Sequence, residues 1–142
     1  MLPKLLVAWA LMAACVAIHA TGVTSSVRWL GRQVTTAQFW PSTWLFIRLA
    51  ARIVLLHLIE ITVWALFYLW AHAMPELQSA LYFSAVTYTT TGYGDLLLPK
   101  EWQLVGAVEA LTGILMCGLS TGFFFAVVSR TLTAPVPPGD AA

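Results

Sequence analysis

The stretch Thr89-Thr90-Thr91-Gly92-Tyr93-Gly94-Asp95 constrains this chain more than any other feature, because of where it lies. Apolar segments long enough to cross a bilayer flank it, and a short apolar-aromatic segment, 76–88, leads straight into it. Irregular backbone at membrane depth is tolerated only where protein buries it or where it lines a water-filled path. Two glycines bracketing a tyrosine free the backbone for conformations that L-residues avoid. Consecutive carbonyls can then face one shared axis and stand in for the water around a dehydrated cation.

Composition supports the membrane setting. Apolar residues make up 60% of the 142 and charged residues 9%, against about 25% charged in a soluble domain. The chain is read as one membrane domain. A net charge of +1 with no basic run gives no case for nucleic acid. Cys15 and Cys117 both fall within apolar runs, so no disulfide framework is indicated. Three spans emerge, at 5–23, 53–73 and 102–128; a span needs roughly 20 apolar residues, and the first is the weakest. That first span also reads as a signal peptide, with Lys4 ahead of the apolar run and small residues near Ala20.

The run Ala80-Leu81-Tyr82-Phe83-Ser84-Ala85-Val86-Thr87-Tyr88, followed by Thr89 to Asp95, resembles the pore helix and selectivity filter of potassium channels. That filter is a known case, described for the sequence TVGYG, so the likeness is to it and is not a derivation from this chain. Thr112-Gly113-Ile114-Leu115-Met116-Cys117-Gly118-Leu119-Ser120-Thr121 resembles the inner helix with its hinge glycine. The resemblance covers 53–130 and implies an all-α membrane protein with three transmembrane helices per subunit, a re-entrant pore helix and a filter, assembled as a four-fold homotetramer. The expected divisions are an N-terminal transmembrane helix at 1–23, a cytoplasmic or interfacial connector at 24–44, a pore domain at 45–130 and a disordered tail at 131–142. Within the pore domain lie an outer helix (45–73), a pore helix (76–88), a filter (90–95) and an inner helix (101–130).

The family's pore loop enters from outside, so the second span runs outward. Arg28, Arg32, Arg48 and Arg52 then precede it on the cytoplasmic side, and Arg130 follows the third span on that same side, as the positive-inside rule requires. This favours a retained first span, with the N-terminus outside and the C-terminus cytoplasmic in the plasma membrane. Pro41 is expected just before the second helix, with Ser42 or Thr43 as N-cap. Arg48 and Arg52 share a face and read as interfacial anchors, since a voltage sensor needs several arginines within the span. His57 and Glu60, three apart at mid-span, read first as structural, with Glu60 hydrogen-bonded to the pore loop or to His57, and second as a pH sensor. Trp64, Phe67, Tyr68, Trp70 and His72 read as an interfacial aromatic belt. Pro75 and Glu76 are expected in the first turn of the pore helix.

The resemblance implies specific roles. Thr90 offers its hydroxyl and carbonyl to the innermost potassium site, and Thr91, Gly92, Tyr93 and Gly94 offer carbonyls outward from it. Thr91 stands where the common motif has valine, and its buried hydroxyl needs a partner, for which Thr87 or another nearby polar group is a candidate. Tyr82 and Phe83 take the places of a pair of tryptophans. Tyr82 keeps a hydroxyl for Asp95 behind the filter, whereas Phe83 keeps only packing. Ile114, Cys117 and Thr121 are expected to line the pore, with Phe125 either a constriction or lipid-facing bulk. Gly113 is either a hinge or a packing contact. Glu109 lies about 140° around the helix from Ile114 and is expected, with Glu60, to support the filter from behind. The function expected is passive, potassium-selective conduction. A weakly selective or nonselective cation channel and a non-conducting subunit needing a partner are the alternatives. No organic cofactor or small-molecule ligand is assignable, the lipid bilayer is the expected surrounding, and the chain offers no nucleophile or metal cluster at useful spacing for an enzyme.

Overall fold

A computed structural model describes residues 2–31 and 39–133. The elements are α1 (Leu2–Leu30), α2 (Phe39–Trp70), α3 (Leu77–Tyr88), a single 3-10 turn (Lys100–Trp102) and α4 (Gln103–Leu132), and no strand occurs among the described residues. Three of these helices, α1, α2 and α4, are long and apolar enough to cross a membrane. The short α3 and the loop to residue 99 form a re-entrant unit between α2 and α4.

Each long helix outruns its expected span. The first continues from the expected end at 23 to Leu30. Two of its hydroxyls bond back to the helix itself, Thr21 to the carbonyl of Ala17 (2.7 Å) and Ser25 to that of Gly22 (2.9 Å), so these polar residues are compatible with continued helix. The connector expected at 24–44 is therefore largely helix, with 32–38 outside the described residues. The second helix begins at Phe39, before Pro41. A proline in the first turn costs no hydrogen bond, because the first four N–H groups of a helix have no partner within it. At its other end α2 stops at Trp70, short of 73. The amide of Ala73 bonds to the Tyr68 carbonyl (2.9 Å) and that of His72 to Leu69 (3.1 Å), with His72 at φ 52°. This is a Schellman stop with histidine in the place usually taken by glycine. Glu76 is the N-cap of α3, with φ −150°, and Pro75 lies outside the helix. Residues 131 and 132 belong to α4; the remainder of the tail expected to be disordered, from 134 on, lies outside the described residues.

Helices α1 and α4 run the same way and α2 runs against them. Lys4 Nζ sits 3.7 Å from Glu101 and 4.0 Å from the centroid of the Trp102 ring, so the start of α1 meets the start of α4. At the far ends, Val27, Leu30 and Gly31 share a groove with Phe123, Ala126, Val127 and Arg130. Arg52 lies over the Trp29 ring at 4.3 Å. The faces that meet are narrow. In α1 the buried residues are Ala8, Cys15, His19 and Ser26, a stripe of mostly small side chains that lets helices approach closely where lipid supplies no hydrophobic drive. Trp64 and Tyr68 are fully buried and Phe67 nearly so, so these form the core between α2, α3 and α4; of the belt expected there, Trp70 and His72 are the members that lie exposed.

Candidate ion-conducting site

The sequence that ends α3 determines how the following loop is held. The amides of Thr89 and Thr90 bond to the carbonyls of Ala85 (3.1 Å) and Thr87 (2.9 Å), and those of Thr91 and Gly92 both bond to Val86 (2.9 and 3.3 Å). The carbonyls of Ala85, Val86 and Thr87 in the last turn of α3 are thus satisfied by the loop. Thr90, Gly92 and Gly94 have φ of 59°, 58° and 77°, whereas Thr91 and Tyr93 do not enter the positive region. Alternating hand along a chain turns successive peptide groups the same way. Among the described residues no carbonyl from 90 to 94 accepts a hydrogen bond. A β-branched residue at positive φ is uncommon, and Thr90 carries strain on the order of 1–3 kcal/mol. The Thr91 hydroxyl meets that of Thr89 at 3.0 Å, a nearby polar group other than Thr87. All of 89–94 is exposed on a single chain, Tyr93 included.

The loop is braced from behind at two depths. At its outer end Tyr82 donates to Asp95 Oδ2 at 2.6 Å, and the Leu96 amide caps Oδ1 at 3.1 Å. The Tyr82 bond holds the Asp95 carboxyl below the usual carboxylate range and keeps the Tyr82 hydroxyl protonated. Phe83 stands edge-on to Tyr68 at 5.4 Å, and Tyr68 donates to Glu109 at 2.8 Å. Glu109 therefore reaches the pore helix through an outer-helix tyrosine rather than touching 90–95. Its second oxygen has no partner, although Ser84 of α3 faces it, also unpartnered.

At the inner end Tyr88 is fastened from three sides. Its hydroxyl donates to Glu60 in a short bond and lies 3.1 Å from His57 Nδ1. Its backbone lies against Gly113: a Cβ there would fall 1.8 Å from the Tyr88 carbonyl oxygen and 2.7 Å from its carbon. Gly113 is thus a close-approach position for the end of α3. Gly118 and Gly122, by contrast, meet nothing in their own chain.

Of the residues expected along the pore, Ile114, Thr121 and Phe125 share an exposed face of α4 with Gly118 and Gly122. Cys117 is half-buried, packed toward the core. His19, Ser120 and Tyr88 carry much of the inner brace, and the residue pattern alone assigned them no role in it. His19 Nδ1 lies 2.9 Å from Glu60 Oε1, and its Nε2 lies 3.1 Å from Ser120 Oγ. The usable signal was His19 itself, an ionisable side chain in the middle of an apolar span. His19, His57 and Glu60, far apart or unremarkable in sequence spacing, converge in the fold.

Three apolar spans with a hairpin of backbone held between the last two is the plan of a channel subunit. Comparison with curated proteins and with solved structures finds no match. Residues 53–130, which run from α2 through the re-entrant unit to the end of α4, match the family model described as ion channel. An integral membrane protein with an additional N-terminal helix, the chain belongs to this family of channels with a two-helix, potassium-channel-type pore domain.

Proposed function

We propose that this protein is a potassium-selective channel that conducts passively through a pore shared by four copies. The single observation that carries the reading is the backbone of 90–94. Its amides are tied into α3 up to Gly92, its hand alternates from residue to residue, and its carbonyls are left free. Thr90, Thr91, Gly92, Tyr93 and Gly94 supply the oxygen ligands for dehydrated potassium. One chain offers one such row, and a closed ring needs several, so a homotetramer follows, with the exposed face of α4 and the open Gly118 turned to the axis. The C-terminal end of α3 carries negative partial charge toward the inner end of the filter and favours a cation there. Multi-site occupancy with mutual repulsion keeps ions moving.

Orientation rests on charge. Arg28, Arg48, Arg52 and Arg130 gather at one end of the bundle, whereas Lys4, Lys100, Glu76, Asp95 and Glu101 lie at the other. The arginine end is cytoplasmic by the positive-inside rule, which puts the N-terminus and the filter mouth outside in a plasma membrane. The bond from His19 to Glu60 favours retention of the first helix in the working channel.

Purified protein in liposomes, with a potassium gradient and sodium as competitor, tests this directly. Potassium uptake that sodium does not match and that barium blocks is the expected result. Equal fluxes would favour a second reading, a weakly selective cation channel, for which the packing of Phe83 against Tyr68 is the motive: Phe83 gives the filter no hydrogen bond.

A further inference from the structure

Behind the filter, at mid-depth in the bundle, a second set of oxygen and nitrogen donors converges. His19 of α1 with His57 and Glu60 of α2 bring their ligand atoms within 4.8 Å of one another. His19 Nδ1 stands 2.9 Å from Glu60 Oε1, and His57 Nδ1 stands 3.6 Å from Oε2. Two imidazoles and one carboxylate, with a fourth position left over, form a ligand set by which proteins hold divalent zinc in tetrahedral geometry. Ligands about 2.0–2.2 Å from a tetrahedral ion stand roughly 3.3–3.5 Å from each other, a spacing that the two gaps here bracket.

The surroundings have the form of a metal site's outer layer. Ser120 of α4 holds the other nitrogen of His19 at 3.1 Å and so fixes the ring with Nδ1 toward the carboxylate. The Tyr88 hydroxyl, bonded to Glu60 and 3.1 Å from His57, stands on the fourth side. His19, Glu60, Tyr88 and Ser120 are buried, and His57 is mostly so. No lysine or arginine pairs with Glu60 among the described residues. An anionic group without a permanent counter-charge at membrane depth is unfavourable unless a cation or proton joins it.

We propose that His19, His57 and Glu60 bind one divalent transition-metal ion of the zinc type in each subunit, with Tyr88 at the fourth position. The ion ties α1 to α2 directly behind Tyr88, the residue whose backbone abuts Gly113 and leads into the filter. This site does not depend on which ion the filter selects.

The test uses full-length protein in detergent, with any affinity tag removed and metal stripped, titrated with cobalt(II) and read by visible absorption. One equivalent per chain with the intense bands of tetrahedral cobalt, bleached by added zinc, is expected. Glu60→Gln and His19→Ala abolish the bands, and His72→Ala leaves them unchanged. Ser120→Ala keeps every ligand and weakens cobalt affinity about 10–100-fold, the usual effect of removing an outer-layer partner. Should His19→Ala fail to fold, Glu60→Gln and Ser120→Ala decide the question. Weak octahedral bands only, bands that survive Glu60→Gln, or wild-type affinity in Ser120→Ala would each overturn the proposal. None of these readouts involves ion flux, so a negative result leaves the filter reading intact.

Discussion

Two glutamates are wholly buried beside the pore helix, each bonded to a tyrosine hydroxyl, yet they are held in different ways. Glu60 has both oxygens engaged, by His19 from α1 and Tyr88 from α3, with His57 alongside. Glu109 has one oxygen engaged, by Tyr68, and the other without a partner. Burial alone therefore says little about what a carboxylate does in a membrane bundle. The inner group ties three helices together at the start of the 89–95 loop. The outer group joins two long helices through Tyr68 and has Ser84 of the pore helix facing its second oxygen.

The largest effect should come from removing the inner group. Glu60→Leu leaves His19 and Tyr88 without their shared acceptor, and breaking a buried polar assembly in this way costs about 3–5 kcal/mol. Glu109→Leu strands one tyrosine hydroxyl, a loss of about 1–3 kcal/mol. Denaturant or thermal unfolding of the purified variants in detergent measures both, and equal losses would break the distinction.

The glycines of α4 sharpen the same contrast between the braced inner end and the open face. Gly113→Ala drives a methyl into the Tyr88 backbone, which has no flexible tip to move aside, and should cost about 1–3 kcal/mol or more. Gly118→Ala meets nothing within its own chain and should change unfolding by less than about 0.5 kcal/mol. A pure hinge role for Gly113 would instead leave stability alone and alter only gating in flux records.

Smaller than the Gly113 effect is that of Glu109→Gln. The amide keeps an acceptor for Tyr68 and puts a donor where the unpartnered oxygen faces Ser84, so stability should move by less than about 1 kcal/mol. A larger loss would show that Glu109 does more than join α2 to α4.

The smallest effect belongs to the exposed brace at the filter mouth. Tyr82 stabilises the charged form of Asp95, so the folded carboxyl titrates below its ordinary value of about 3.9. Its contribution is therefore complete above that ordinary value and is lost as pH falls through the lowered one. Tyr82→Phe removes the donor and should move the loss of flux on outer acidification to higher pH. An unchanged profile would mean that this bond does not brace the filter.

Much of this was legible in the residues. The glycines at 92 and 94 announced positive φ, and the apolar runs announced three spanning helices. Tyr82 and Asp95 could be paired through the resemblance to potassium channels, which implies a hydroxyl at 82 behind the loop. The pairings across 41 residues, His19 with Glu60 and Tyr68 with Glu109, could not be read in the same way. Helices that are apolar all round carry no moment to say which face turns inward, so the rotation of α1 against α2 emerges only from packing. Pro41 misled for a local reason: proline reads as a boundary, but in a first turn it is compatible with helix. The glycine at 113 was ambiguous because hinge and close contact require the same missing side chain, and only the position of Tyr88 separates them.

The central claim, that 90–94 forms a ring selective for potassium, is tested most directly by the reversal potential of single channels in a planar bilayer. Potassium bathes one side and sodium the other. A reversal potential far from zero, in the direction that marks potassium as the permeant ion, is what the free carbonyl row predicts. Reversal at zero, with stable openings, would contradict it.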